Sequence, residues 1–208
     1  NISIYQELSE NFIREFQNEV DWCYISKYQK LSEKFIREFE DKVNWFFISF
    51  YQKPLTEKFI RENQDKVDWF CISRYQKLSE NFIREFQDKV NWDYIPYKQK
   101  LSESFIREFQ DKVDWDYISS RQKLSEKFIC EFQDKVDWGY ISANQKLNNN
   151  FIREFQNKII WENLLERYGY SLDLFNNKYR IISNNYCSNL LNFSELVNLT
   201  LRLISLKV

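Results

Sequence analysis

A motif of 23 residues, L-S-E-x-F-I-R-E-F-Q-D-K-V-D-W-x-Y-I-S-x-Y-Q-K, recurs along most of this chain and constrains its fold more than any other feature. Copies begin at Leu8, Leu31, Leu55, Leu78, Leu101, Leu124 and Leu147, and all 7 Trp occupy one place in the unit. Residues 2–7 match the end of a preceding copy, so the chain opens mid-repeat. With Asn1 in first place and no Met anywhere, this leads us to expect a piece of a longer protein. One extra residue, Pro54, separates Lys53 from Leu55. An insertion is tolerated only in a connection, which puts a loop between units.

Each unit reads as two short helices. Ser32 is placed to cap the first, and Leu31 with Ile36 to staple it. Phe35, Ile36, Phe39 and Val43 share one helical face, and Glu33–Arg37 and Glu38–Lys42 are spaced as i,i+4 ion pairs. Asn44 caps a second helix that turns Trp45, Ile48 and Gln52 to one side. At roughly 8–10 residues, neither helix is stable alone, so each must bury its face against the next unit. A leucine-rich-repeat horseshoe needs an L-x-x-L-x-L ladder that F-I-R-E-F-Q-D-K lacks, and 2 Gly and 2 Pro are too few for a turn-rich β fold. The expectation is an all-α fold, an α-solenoid of about seven two-helix repeats over residues 1–161. Its Trp would form a continuous internal ladder, with Trp92→Ala costing ~3–5 kcal/mol. Residues 162–208 depart from the motif and are expected to form a divergent C-terminal helical cap or tail, a first helix stopping at Gly169.

Three positions break the pattern inside the array. Asn63 replaces a Phe and should leave a polar group unsatisfied or admit water; Pro96 should kink its helix; Cys130 replaces an Arg by substitution without consequence. Cys23, Cys71, Cys130 and Cys187 lack the spacing of a zinc site or a disulfide framework and read as reduced thiols.

The units LSENFIREFQDKVNW and LSEKFIREFEDKVNWFFISFYQK resemble the 23-residue repeat arrays encoded by giant DNA viruses of amoebae, the relatives of mimivirus. The resemblance covers residues 1–161. It implies a viral protein in the host cytoplasm or in the virion, and it carries no activity and no functional residues.

Chemistry is sparse. There is no His, the 2 Gly cannot form a phosphate-cradling loop, and carboxylates recur, Glu38 in every unit and Asp41 in most, where an active site would be singular. We therefore expect no enzyme, cofactor or metal. Lys+Arg 30 against Asp+Glu 31 argues against nucleic acid, and no apolar stretch is long enough to span a membrane. Variation concentrates in two positions after each Trp. The first holds Cys23, Phe46, Phe70, Asp93, Asp116, Gly139 and Glu162; the second, four residues on, holds Lys27, Phe50, Arg74, Tyr97, Ser120, Ala143 and Glu166. They share a helical face. Phe46, Phe50, Phe70, Arg74 and Tyr97 are thus the candidate partner-binding residues of a non-enzymatic protein-interaction scaffold for a host or viral protein. The alternatives are a structural spacer or virion component, and repeat-based binding of single-stranded nucleic acid. An open apolar face at Phe12, Ile13 and Phe16 adds an expectation of end-to-end self-association.

Overall fold

The computed structural model describes residues 6–167. Two compact units divide at Val113 and Asp114. The first contains α1 (Glu10–Glu15), α2 (Trp22–Tyr28), α3 (Glu33–Glu38), α4 (Trp45–Tyr51), α5 (Glu57–Glu62), α6 (Trp69–Tyr75), α7 (Glu80–Glu85), α8 (Ile95–Lys98) and α9 (Glu103–Glu108). The second contains α10 (Trp115–Arg121), α11 (Glu126–Glu131), α12 (Trp138–Asn144), α13 (Asn149–Glu154) and α14 (Trp161–Arg167). No strand occurs among the described residues. Second helices pack in a row: α2 on α4, α4 on α6 and α6 on α8 in the first unit, α10 on α12 and α12 on α14 in the second. The fold is an all-α solenoid of short two-helix repeats. The expected cap beyond Arg167, the helix stop at Gly169 and Cys187 lie outside the described residues.

Capping works as the residue types require. Ser32 Oγ accepts the Phe35 N–H at 3.1 Å, and Asn44 Oδ1 accepts that of Phe47 at 3.1 Å. Asn148, where other repeats have Ser or Thr, keeps the bond with Phe151 at 2.9 Å. The helices are shorter than expected. α3 has 6 residues and closes at Phe39, whose carbonyl then takes the N–H groups of Lys42 (2.9 Å) and Val43 (3.1 Å) in a separate turn. That break reassigns a charge pair. Glu33 and Arg37 approach to 3.8 Å within α3, but Glu38 receives Arg14 of the preceding repeat at 2.9 Å, and Lys42 reaches back to Gln17 at 2.8 Å.

The interior is phenylalanine and isoleucine. Phe35, Ile36 and Ile48 are wholly buried, as are their counterparts Phe59, Ile60 and Ile72. The tryptophans are half-buried, which corrects the expectation of an internal ladder. Trp22 lies 4.9 Å from Phe39 and 6.2 Å from Phe35 of the next repeat, with its Nε1 donating to the Gln17 carbonyl at 3.0 Å. Lys42 sits over the ring at 5.8 Å. Each indole from Trp22 to Trp138 therefore seals the edge of a seam between repeats. At the chain start Ile13 is buried, leaving Phe12 exposed and Phe16 half-buried.

Recurrent polar residues join one repeat to the next. Gln76 Oε1 accepts the Leu55 N–H at 3.0 Å, while its amide donates to the carbonyls of Ser49 (3.2 Å) and Gln52 (2.9 Å). Ser49 Oγ donates to the Trp45 carbonyl at 2.8 Å and accepts the Asp68 N–H at 2.9 Å. Glu33 accepts both the N–H (2.6 Å) and the hydroxyl (3.0 Å) of Thr56. Arg61 pairs with Glu85 at 2.7 Å, and this bond holds the Glu85 carboxyl below its ordinary range. Short helices leave many terminal N–H and C=O groups without intrahelical partners, and these side chains supply them.

Asn63 corrects a second expectation. It is buried but satisfied, its amide donating to the Phe59 carbonyl at 2.9 Å. What it costs is an aromatic contact. Trp69 and Trp92 each have the equivalent Phe at 5.0 and 4.9 Å, whereas Trp45 keeps only Phe59 at 6.0 Å. Asn63→Phe is expected to stabilise the protein by about 1–2 kcal/mol, because the Phe59 carbonyl retains the residue 63 N–H at 3.1 Å. A urea midpoint unchanged or lowered would refute it. Pro96 shortens rather than kinks its helix: α8 has only 4 residues, with Trp92 to Tyr94 left as a turn.

Candidate functional site

Because Ile48, Ser49 and Gln52 face inward, α4 must present Phe46, Phe47, Phe50 and Tyr51 outward. Phe46 is 47% exposed and Tyr51 43%. The expected pair of positions is therefore two pairs, because a helix packed on one side leaves two i,i+4 rows open. Phe46 lies 6.1 Å from Phe50, and Phe47 lies 6.0 Å from Tyr51. Phe50 bridges to the next repeat, 4.3 Å from Tyr75. On α6, Phe70 is 43% exposed and meets Tyr94 edge-on at 5.0 Å. The first unit thus carries a contiguous aromatic surface built by successive second helices.

Cations thread this surface. Arg74 lies over Phe70 (5.9 Å), Tyr75 (5.3 Å) and Tyr94 (4.9 Å), and donates to the Tyr94 hydroxyl at 3.3 Å. Lys53 lies over Tyr75 at 4.3 Å and Phe50 at 5.7 Å. Lys27 spans Tyr28 (4.9 Å), Phe47 and Tyr51 (both 5.7 Å), and contact with Tyr28 chiefly raises its ammonium above the ordinary value. Cation–π attraction of ~0.5–2 kcal/mol per contact orders these side chains without neutralising them.

Of the expected residues, the structure connects Phe46 to Phe50 and Phe70 to Arg74, joined through Tyr75. Tyr97 is half-buried on α8, with Lys98 over its ring at 5.0 Å. Sequence reasoning missed Phe47, Tyr51, Tyr75, Tyr94 and Lys53, and placed Lys27 on the variable face without counting it among the candidates. The i+2 and i+6 positions from Trp carry an available signal: i+2 is aromatic at Tyr24, Phe47, Tyr94, Tyr117 and Tyr140, and i+6 at Tyr28, Tyr51 and Tyr75. In the second unit the corresponding residues are Asp116, Tyr117, Ser120, Gly139, Tyr140 and Ala143, so its outer face is poorer in aromatics.

Cys71 is fully buried, and burial, then its bond with Asp68, pushes its pKa to about 12. The folded protein therefore prefers the protonated thiol, and its stability should fall as pH rises from about 9 toward 12; Cys71→Ala should blunt that alkaline loss. Cys130 is raised too, by burial and then by Glu154 and Glu126, opposite to what reactivity requires. Iodoacetamide at neutral pH should label exposed Cys23 before Cys71; labelling of Cys71 before unfolding would contradict this burial. Among the described residues, no group of three or more His, Cys, Asp or Glu is arranged to hold a metal ion, and no helix is long and apolar enough to cross a membrane.

No family model matches this chain, and comparison with curated proteins and with solved structures finds nothing similar.

Proposed function

We propose that this chain is a non-enzymatic protein-interaction scaffold, docking a host or viral protein on the outer face of α2, α4 and α6. One observation carries the reading: large aromatic side chains stay exposed and contiguous there, although the same helices bury Ile48 and Ile72 completely. Aromatic and Arg side chains in such a patch are the types that dominate binding energy. The resemblance of the repeats to arrays of giant viruses of amoebae supports a place in the host cytoplasm or the virion. A passive spacer would need no such concentration in one unit. Binding of single-stranded nucleic acid is disfavoured by the net charge of −1.

The test uses the double variant Phe46→Ser/Phe70→Ser, whose side chains are open enough to be replaced without loss of core. A protein retained by the chain from infected cells would be purified and titrated directly against both forms. Affinity is expected to fall by about 30-fold with circular dichroism unchanged. Undiminished affinity would leave the spacer reading ahead.

A further inference from the structure

We propose that the hollow beside this aromatic face receives an acidic segment with apolar anchors, contributed by the partner; this rests on the scaffold reading above. Lys53, Arg74, Lys77 and Lys98, drawn from three successive repeats, surround a hollow of about 290 Å³ together with Tyr75, and no carboxylate lines it. The four cations carry uncompensated charge: among the described residues none of them joins an ion pair. The first-helix arginines behave differently. Arg37 meets Glu62 at 2.7 Å, Arg61 meets Glu85 at 2.7 Å and Arg84 meets Glu108 at 2.8 Å. A chain with net charge near zero has thus segregated it, neutral along the first helices and positive where the second helices end.

The arrangement belongs to the repeat. In the second unit Arg121, Lys123, Lys146 and Arg167 line a hollow of about 340 Å³ in the corresponding place, again without a carboxylate. The source is the Lys that follows each buried Gln, together with the basic residues closing the second helices.

Two features identify the occupant. Arg74 and Tyr75 belong both to the hollow and to the aromatic face, so a carboxylate seated on the cations places a neighbouring apolar side chain against Phe50 or Phe70. A strand of nucleic acid fits less well. The rings its bases would stack on are already faced by Arg74 and Lys53, and the whole chain lacks the positive field that gathers phosphates.

Fluorescence anisotropy of the full chain decides the matter with three probes: a labelled peptide repeating Glu-Leu-Asp-Phe, its Gln-Leu-Asn-Phe counterpart, and an oligouridylate of equal length. The acidic peptide is expected to bind about tenfold tighter than either other probe, and Lys77→Gln/Lys98→Gln to remove that advantage. Both lysines are exposed, and Lys127→Gln, on a first helix, serves as the control that changes nothing. Failure of the acidic peptide to bind, equal binding of the neutral peptide, tighter binding of the oligouridylate, or indifference to the double substitution would each overturn the inference. The two readings fail separately. Loss of partner affinity in Phe46→Ser/Phe70→Ser without charge discrimination retains the scaffold and removes the acidic segment. Charge discrimination with undiminished partner affinity in that variant removes the aromatic docking face.

Discussion

Gln76→Leu is expected to lower stability by about 3–5 kcal/mol. The side chain is buried and makes three hydrogen bonds across the seam, to the Leu55 N–H and to the carbonyls of Ser49 and Gln52. Leucine fits the volume but leaves those backbone groups buried without partners, at ~1–3 kcal/mol each. Gln76→Glu sharpens the test. A carboxylate keeps the acceptor yet turns a second oxygen toward two carbonyls, so its folded-state pKa must lie above the ordinary value of about 4.3. A raised folded pKa means the protonated form is the one the fold accepts. The variant should therefore approach wild-type stability near pH 4 and lose it as pH rises through the shifted value. Urea titrations at pH 4 and pH 8 read this directly, and a Gln76→Leu variant as stable as wild type would show that the glutamine ladder does not hold the repeats together.

Phe105→Ala is expected to cost about 3–5 kcal/mol, and Trp92→Ala less, about 2–3 kcal/mol. Residue size alone would order them the other way. Phe105 is fully buried, with Phe109 at 4.7 Å, Trp92 at 6.2 Å and the Arg84 guanidinium at 4.9 Å. Its removal leaves a cavity in close-packed surroundings. The Trp92 indole is half-buried; its loss forfeits the ring contact with Phe109 at 4.9 Å and the bond from Nε1 to the Gln87 carbonyl at 2.9 Å, but water can enter the space. Equilibrium unfolding of both variants settles the order. A larger loss for Trp92→Ala would restore the indoles to the interior.

Local chemistry determined what could be read along the chain. The period, the helical content, the caps at Ser32 and Asn44 and the inward Phe35, Ile36 and Ile48 all follow from residues within a few positions of one another. The outward row of Phe46, Phe50, Phe70 and Arg74 was legible for the same reason, since i,i+4 spacing fixes a face once the helix is known.

What the tertiary structure decided concerns partners about 23 residues away. Glu38 was expected to pair with Lys42 four residues on, yet it takes Arg14 of the preceding repeat, because the helix ends before the fourth residue comes into line. Gln52 can be placed on the side of Trp45 and Ile48 from the sequence, but the backbone groups that Gln52 and Gln76 bind are supplied only by the neighbouring repeat. The same neighbour covers only one side of each indole and brings Tyr75 against Phe50, completing a surface that no single repeat contains. A sequence motif specifies each helix by short-range interactions, whereas the seam between copies, where the long-range side-chain hydrogen bonds and the aromatic face arise, exists only when two copies are packed together.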